Sequence, residues 1–502
     1  MAARKKSFYI IPGAYSMIGI GTIFRRRAGS GGPLPPDYAK WVKEHMVFWY
    51  DMSKPVDVYA ENFNNWRPHP SVNADIIITS TSFVITRFAT LNDTVKCYIP
   101  DQTKNFPGMK VKVKGIVDGQ ELYWGYSATV KLVNITSDGT YDIPPLETVK
   151  GNLSFRNGNI VGACNITITQ LPSGQSVPTN EILKANPYLQ DFSGNNRPLK
   201  LNNFLFAGMS GVGGYEYNWL DSALFITYLS GARGDGTITD NTITINNVKV
   251  SGGVIETRVS SPSKKYKVRV TGITSNETLR YVVYGDTSLG ELATIIFDMK
   301  KDGEYELPAS TYSATYNMKW QVIAASYPHT CNITIEQIPA YPNALVTDGV
   351  DDYGQVQNLQ QGVKMLFYTC NNFRLSQILY DQRKVGYDKI QSSYFSIFTE
   401  ANTIAYNARN VDGKTYIDGV LNETTIADNL LGKKTIITII NSSANSERTG
   451  KPSFFSTYNN LGYFANLAFY NSFGFDSVPT KKTDGFTEQD LIDYVLENLI
   501  TK

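Results

Sequence analysis

From Met109 to Lys114 the chain alternates apolar and charged residues, placing Val111 and Val113 on one side of an extended backbone and Lys110, Lys112 and Lys114 on the other. A period of two predicts a half-buried β-strand. The pattern returns in Tyr266-Lys-Val-Arg-Val-Thr271. Met46-Val-Phe-Trp-Tyr-Asp51 predicts an apolar strand ending in a polar turn, and Lys434 to Asn441 and Ala465 to Tyr470 predict further strands. Thr415-Tyr-Ile-Asp-Gly-Val-Leu421 predicts a hairpin turning on Asp418-Gly419. Near the end, Thr487-Glu-Gln-Asp490 predicts a capped helix running to Leu499, with Thr487 as N-cap and Asp490 in the third helical position.

Three ordered blocks repeat. Met109 to Ile116 matches Tyr266 to Ile273, Asp138-Gly-Thr-Tyr-Asp-Ile-Pro144 matches Asp302-Gly-Glu-Tyr-Glu-Leu-Pro308, and Cys164-Asn-Ile-Thr-Ile168 matches Cys331-Asn-Ile-Thr-Ile335. Each copy then reaches Gln-x-Pro at Pro172 and Pro339. The Asp-Gly pairs are turn signals between strands. Several short strands in each copy predict a small β-sandwich of immunoglobulin-like or carbohydrate-binding-module type.

Composition agrees with an all-β chain. The 502 residues exceed one domain of about 150 residues. Thirty-two tyrosines, 24 phenylalanines and many Thr, Val and Ile suit a pleated surface. The formal net charge of +2, without a long basic stripe, argues against nucleic acid as a partner. Cys97, Cys164, Cys331 and Cys370 lack metal-ligand spacing, and Cys97 has no counterpart in the second copy. The expectation is free thiols in a protein made in a reducing cytoplasm. At the N-terminus, Arg4, Lys5 and Lys6 precede an apolar stretch holding Phe8, Tyr9 and Phe24, and Arg25, Arg26 and Arg27 follow it. Pro12, Gly13, Gly19 and Gly21 interrupt that stretch, which is shorter than the ~20 residues of a membrane-spanning helix. Its flanks are wrong for a cleaved leader. An extended arm is expected, joined by the linker Ala28 to Pro36.

Outside the repeats, Trp49-Tyr50, Asp191 to Asn195, Asp348 to Tyr353, Tyr416 to Leu421 and Leu467-Ala-Phe-Tyr-Asn471 follow one another in order, the last with a helix after it. This succession resembles the concanavalin-A-like (laminin-G-like) jelly roll. The resemblance implies a discontinuous jelly roll carrying the two repeats as inserted sandwiches, with Trp49 sharing a core with Val350 and Tyr353. Together with Asn186 to Asn195 and the glycine-rich Phe206 to Trp219, the set is similar to proteins of crAss-like phages and prophages of gut Bacteroidales. Those are virion surface components: capsid auxiliary proteins, head fibres and tail-associated proteins.

Candidate chemistry is sparse. Hydrolases of the jelly-roll class carry Glu-x-Asp-x-x-Glu on one strand, a run this sequence lacks. Asp348, Asp351 and Asp352 offer hard oxygen ligands for calcium, but without EF-hand-like spacing they read as a turn feature. His45, His69 and His329 read as structural, and Gly208 to Gly214 lacks the Lys-Ser/Thr ending of a phosphate loop. Trp66, Trp124, Trp219 and Trp320 are candidate sugar platforms that read more readily as core.

The expected organisation is an arm and linker over 1–40, jelly-roll parts over 41–57, 179–220 and 341–502, and inserted sandwiches over 58–178 and 221–340. The expected function is a non-enzymatic virion component on the capsid surface, without cofactor or metal. Its arm (Arg4, Lys5, Lys6, Phe8, Tyr9, Phe24, Arg25, Arg26 and Arg27) would anchor it to the major capsid protein or other virion proteins. Self-association and a host glycan stay open as further partners, and no membrane contact is expected. The alternative is a head or tail fibre acting as an adhesin for host-surface glycans, and the third reading is a glycan-cleaving enzyme, which the missing carboxylate pair disfavours.

Overall fold

The structure, a computed structural model, describes residues 37–59, 66–68, 75–79, 81–89, 94–97, 106, 108–125, 130–146, 153–220, 225–227, 234–250, 254–257, 265–286, 292–308, 319–357, 363–373, 377–383, 396–400, 403–406, 413–421, 431–441, 449–456 and 464–500. The fold is all-β, built from antiparallel sheets. No helix among these residues is long and apolar enough to cross a membrane.

The largest unit is a sandwich of two sheets. In the first, Leu467–Phe475 runs beside Met365–Asn372, followed by Lys434–Asn441, Gly413–Ile417 and Val420–Leu421. Along its other edge lie Leu345–Val346 and Met46–Asp51, so strands from both ends of the chain meet there. The second sheet orders Tyr188–Leu189, Leu199–Asn202, Tyr353–Val356, Thr449–Phe454, Gln377–Arg383, Ser396–Glu400 and Thr403–Tyr406. Phe48, Tyr50, Leu366 and Tyr368 from the first sheet meet Leu201, Val356, Tyr380 and Phe454 from the second in one core.

Trp49 does not join that core. Because successive side chains of a strand point to opposite faces, Phe48 and Tyr50 enter the sandwich while Trp49 faces outward among Trp41, Phe473 and Phe475. Val350 is 69% exposed, and Tyr353 is only half-buried. The expected triad of Trp49, Val350 and Tyr353 is therefore incorrect: strand alternation separates its first member, and the Asp348 turn turns Val350 out to solvent. Two helices cover the outer face. Tyr38–His45 is capped by Asp37 and packs Trp41 and Val42 against Phe475 and Phe486. The folded body thus includes 37–40, which the sequence reading placed with the arm and linker. Glu488–Asn498 carries the expected capping box of Thr487 and Asp490 and buries Leu491, Ile492 and Val495.

The repeats form two small sandwiches with matching strand order. In the first, Gly139–Ile143, Met109–Lys114, Gly162–Leu171, Ser82–Phe88 and Asp75–Ile78 make one sheet. Its counterpart is Gly303–Leu307, Tyr266–Thr271, His329–Ile338, Thr242–Val248 and Gly234–Ile238. The facing five-stranded sheets correspond in the same way. Asp138 Oδ1 accepts from Ile116 N at 2.8 Å, and Asp302 Oδ1 from Ile273 N at 2.8 Å. Tyr141 donates to the Ser137 carbonyl, and Tyr305 to that of Lys301. Gly115 and Gly272 sit at φ +93° and +89°, where an added Cβ would meet the carbonyl oxygen of Asn165 or Asn332 at 1.9 Å. The repeated Gly-Ile and Asp-Gly-x-Tyr blocks are thus the parts that close one sheet. Each core holds an aromatic pair at 4.9 Å, Trp124 with Phe155 and Tyr281 with Trp320, with the tryptophan on opposite members of the paired strands.

The first small sandwich leaves and returns through one ribbon, Val56–Val58 paired with Gly174–Ser176. At the second, Ala340 N and Tyr341 N donate to the carbonyls of Gly214 and Gly213. Trp219 and partly buried Tyr217 pack with Ile243, Tyr266 and Trp320. The stretch assigned to the jelly roll through 220 therefore ends too late. Gln337 takes Tyr217 into the small sandwich by accepting from its N–H and donating to its carbonyl.

Candidate functional sites

The Asp191 motif lies against a strand edge that, among the described residues, pairs with no second strand. Met46–Asp51 pairs on one side with Leu467–Phe475, and an unpaired edge exposes backbone groups that need partners. Asp191 Oδ1 accepts from Trp49 N at 3.0 Å and Ser193 N at 2.9 Å, while its Oδ2 accepts from Arg197 N at 2.9 Å. Asn195 Nδ2 donates to the Met46 carbonyl at 2.7 Å, and Arg197 Nη1 to that of Val47 at 3.0 Å. Phe192 N donates to the Trp49 carbonyl. The motif is a side-chain substitute for a neighbouring strand.

The acidic cluster sits where the chain passes from Leu345–Val346 to Tyr353–Val356, and its three carboxylates lie within 4.8 Å of one another. Asp352 is buried; its Oδ1 accepts from Ser210 Oγ at 2.9 Å and its Oδ2 from Asp348 N at 3.0 Å. Asp348 Oδ1 accepts from Val350 N at 2.7 Å, closing a local turn. Burial pushes the Asp352 carboxyl up to about 7, with Asp348 and Asp351 adding to the rise against the two hydrogen bonds. Both oxygens of the buried member are committed to internal donors, leaving Asp348 and exposed Asp351 as the outward carboxylates. The arrangement fastens the glycine-rich loop to the sheet. Within that loop Val212 N donates to buried Asn180 Oδ1 at 2.7 Å. A Cβ on Gly211 would meet this same oxygen at 2.4 Å. Gly208 to Gly214 is a packing loop here, and Trp219 beyond it enters a core.

The remaining candidates scatter. Trp124, Trp219 and Trp320 are buried in the small sandwiches, which removes them as exposed sugar platforms; the Trp66 side chain lies outside the described residues. His45 Nδ1 meets Asp476 Oδ1 at 3.0 Å in the large sandwich, and His329 Nε2 meets Glu277 Oε2 at 2.9 Å in the second small one. Burial raises the Glu277 carboxyl, but hydrogen bonds from Thr274 and His329 outweigh it and bring the net shift down. His69 and the nine arm residues lie outside the described residues. Cys164, Cys331 and Cys370 are free thiols. Only Cys370 is fully buried, yet burial raises all three, Cys331 to about 11 with the Glu277 charge adding.

Sequence reasoning missed a cleft of about 760 Å³ between the large sandwich, the Val56–Val58 ribbon and Thr79, Thr81 and Ser82 of the first small sandwich. Asn186, Tyr188 and Gln190 line it from within the segment already singled out as Asn186 to Asn195. The signal was present in that amide- and tyrosine-containing segment, but the opposite wall comes from chain a hundred positions away. Among known proteins, the chain matches no family model and no curated protein.

Proposed function

We propose that the protein is a non-catalytic structural component of a phage particle, displayed on the capsid surface as an auxiliary capsid protein. In this reading, a discontinuous jelly roll carries two small sandwiches outward, and the N-terminal arm attaches it to the major capsid protein. One observation carries the reading: motif residues behind the resemblance serve as fasteners of the fold. Asp191 and Asn195 complete a strand edge, Asp352 holds the glycine loop, and Asp418 accepts from Ile436 N beside the Gly419 turn. Side chains so engaged build a scaffold rather than wait for a substrate.

Deleting residues 2–36 is expected to leave a folded protein that no longer joins particles, because Phe8, Tyr9, Phe24 and the flanking basic residues supply the attachment. Counting copies per purified particle should give hundreds for decoration, whereas a few dozen would favour the fibre reading. Normal incorporation of the truncated protein would refute the arm as anchor.

A further inference from the structure

The two small sandwiches share a strand order but differ on one outer face. On Met109–Lys114, Lys110, Lys112 and Lys114 alternate with the buried valines and are exposed. Their equivalents on Tyr266–Thr271 are Lys267, Arg269 and Thr271. In the second copy Arg269 lies between Glu304 and Glu336 of the two adjoining strands and pairs with both, at 2.9 and 3.2 Å. In the first copy the same two positions, on either side of Lys112, are Thr140 and Thr169. Lys114 stands beside Thr167, and Asp138, beyond the end of the ladder, spends its Oδ1 on Ile116 N. Lys110 meets Asp142 at 3.4 Å, but both side chains are solvent-exposed, so the pair is weak. One copy thus neutralises its charge across strands, while the other turns it outward.

The lysines form a row with a fixed spacing of roughly 6.6 Å, two strand residues of about 3.3 Å each. Further across the same sheet, Val84 pairs with Thr167 and Ile77 with Val84. The second copy has Thr244 and Thr237 at those positions. Ile77 is 65% exposed. A cationic row beside apolar side chains, held on a rigid sheet, suits a protein surface with a matching row of carboxylates and apolar ground next to it. A single-stranded nucleic acid would need stacking rings, whereas threonine and valine flank this row. We propose that the outer face of the first small sandwich docks an acidic β-structured surface of a partner protein, with alternate carboxylates opposite Lys110, Lys112 and Lys114. The inference goes beyond the virion reading and applies to the protein on or off a particle.

The test uses the purified full-length protein and a cyclised β-hairpin peptide with glutamate at alternate positions of one strand and valine on the other. Its glutamine counterpart and oligothymidylate are the controls. Titration calorimetry should show saturable binding of the acidic hairpin, weakened by salt, and none of the glutamine hairpin. The double variant Thr140→Glu/Thr169→Glu rebuilds the arrangement around Arg269, so it should keep the wild-type thermal transition and bind the acidic hairpin at least tenfold more weakly. Replacing Lys110, Lys112 and Lys114 together by Thr provides an independent second variant with the same expected loss. The basic residues of the arm are unchanged in both, so the difference reads this face alone. Failure of the acidic hairpin to bind, unchanged affinity in both folded variants, or a larger loss for oligothymidylate than for the hairpin would overturn the proposal. Loss of particle incorporation on arm deletion is a separate readout, so either idea can fail alone.

Discussion

At the scale of single residues, Asp352 is the most exposed to a simple test. Its folded-state value of about 7 stands above the ordinary carboxylate value of 3.8, because burial disfavours the charge and two neighbouring carboxylates oppose it. A raised value means that the folded state holds the proton more tightly than the unfolded chain. The associated stability is fully present below pH 3.8 and is lost as pH rises through about 7. Denaturant midpoints should therefore fall between pH 5 and pH 8 in the wild type. The fall should shrink in Asp352→Asn, whose amide can accept from Asp348 N and donate to Ser210 Oγ. An unchanged fall would assign the pH dependence elsewhere. Asp191 tests a different case, a side chain whose oxygens are the acceptors for backbone groups at a strand edge. Bonds to a charged acceptor are worth about 1.5–3 kcal/mol each, and Asp191 accepts from three backbone N–H groups. Asp191→Ala should cost at least about 3 kcal/mol in urea denaturation and, with the edge of Met46–Asp51 uncovered, promote aggregation.

At the scale of elements, the duplicated sandwiches provide an internal control. Gly115 and Gly272 occupy the same left-handed position against the same carbonyl. Replacing either with alanine should destabilise its own sandwich by more than about 1 kcal/mol, since alanine is strained there and its Cβ overlaps backbone. Proteolysis should expose cleavage in the first small sandwich for Gly115→Ala and in the second for Gly272→Ala. Cleavage in both, or neither, would show that the sandwiches do not respond separately. The strands of these units were legible from the Val/Lys alternation, and the Thr487 helix and Asp418-Gly419 hairpin from their caps and turns. The helix Asn180–Ala185, capped by Thr179, was not anticipated. Six residues are too few to display a period, and a buried Leu183 reports its packing only once the surrounding core exists.

At the scale of the molecule, the ribbon Val56–Val58 with Gly174–Ser176 brings the two ends of the first small sandwich together. Among the described residues, the core around Phe83 and Trp124 shares no member with that around Phe48 and Phe454. Replacing residues 59–173 by a short Gly/Ser linker should therefore leave the large sandwich folded, since shortening a loop changes closure entropy little. Near-ultraviolet circular dichroism and a cooperative unfolding transition check this outcome; a molten product would mean the sandwiches depend on each other.

The sequence alone determined the all-β class, the duplication and the main turn signals, because period, caps and turns are local and written in neighbouring residues. Only the tertiary structure decided which face each strand presents to which core. Trp49 and Tyr50 are adjacent in sequence and belong to different cores, and Trp219 passes to the small sandwich because Gln337 pairs with neighbouring Tyr217. The cleft likewise exists only where the turn beside Ile78 meets the segment around Tyr188. Such meetings depend on burial summed over distant segments, which no local pattern records.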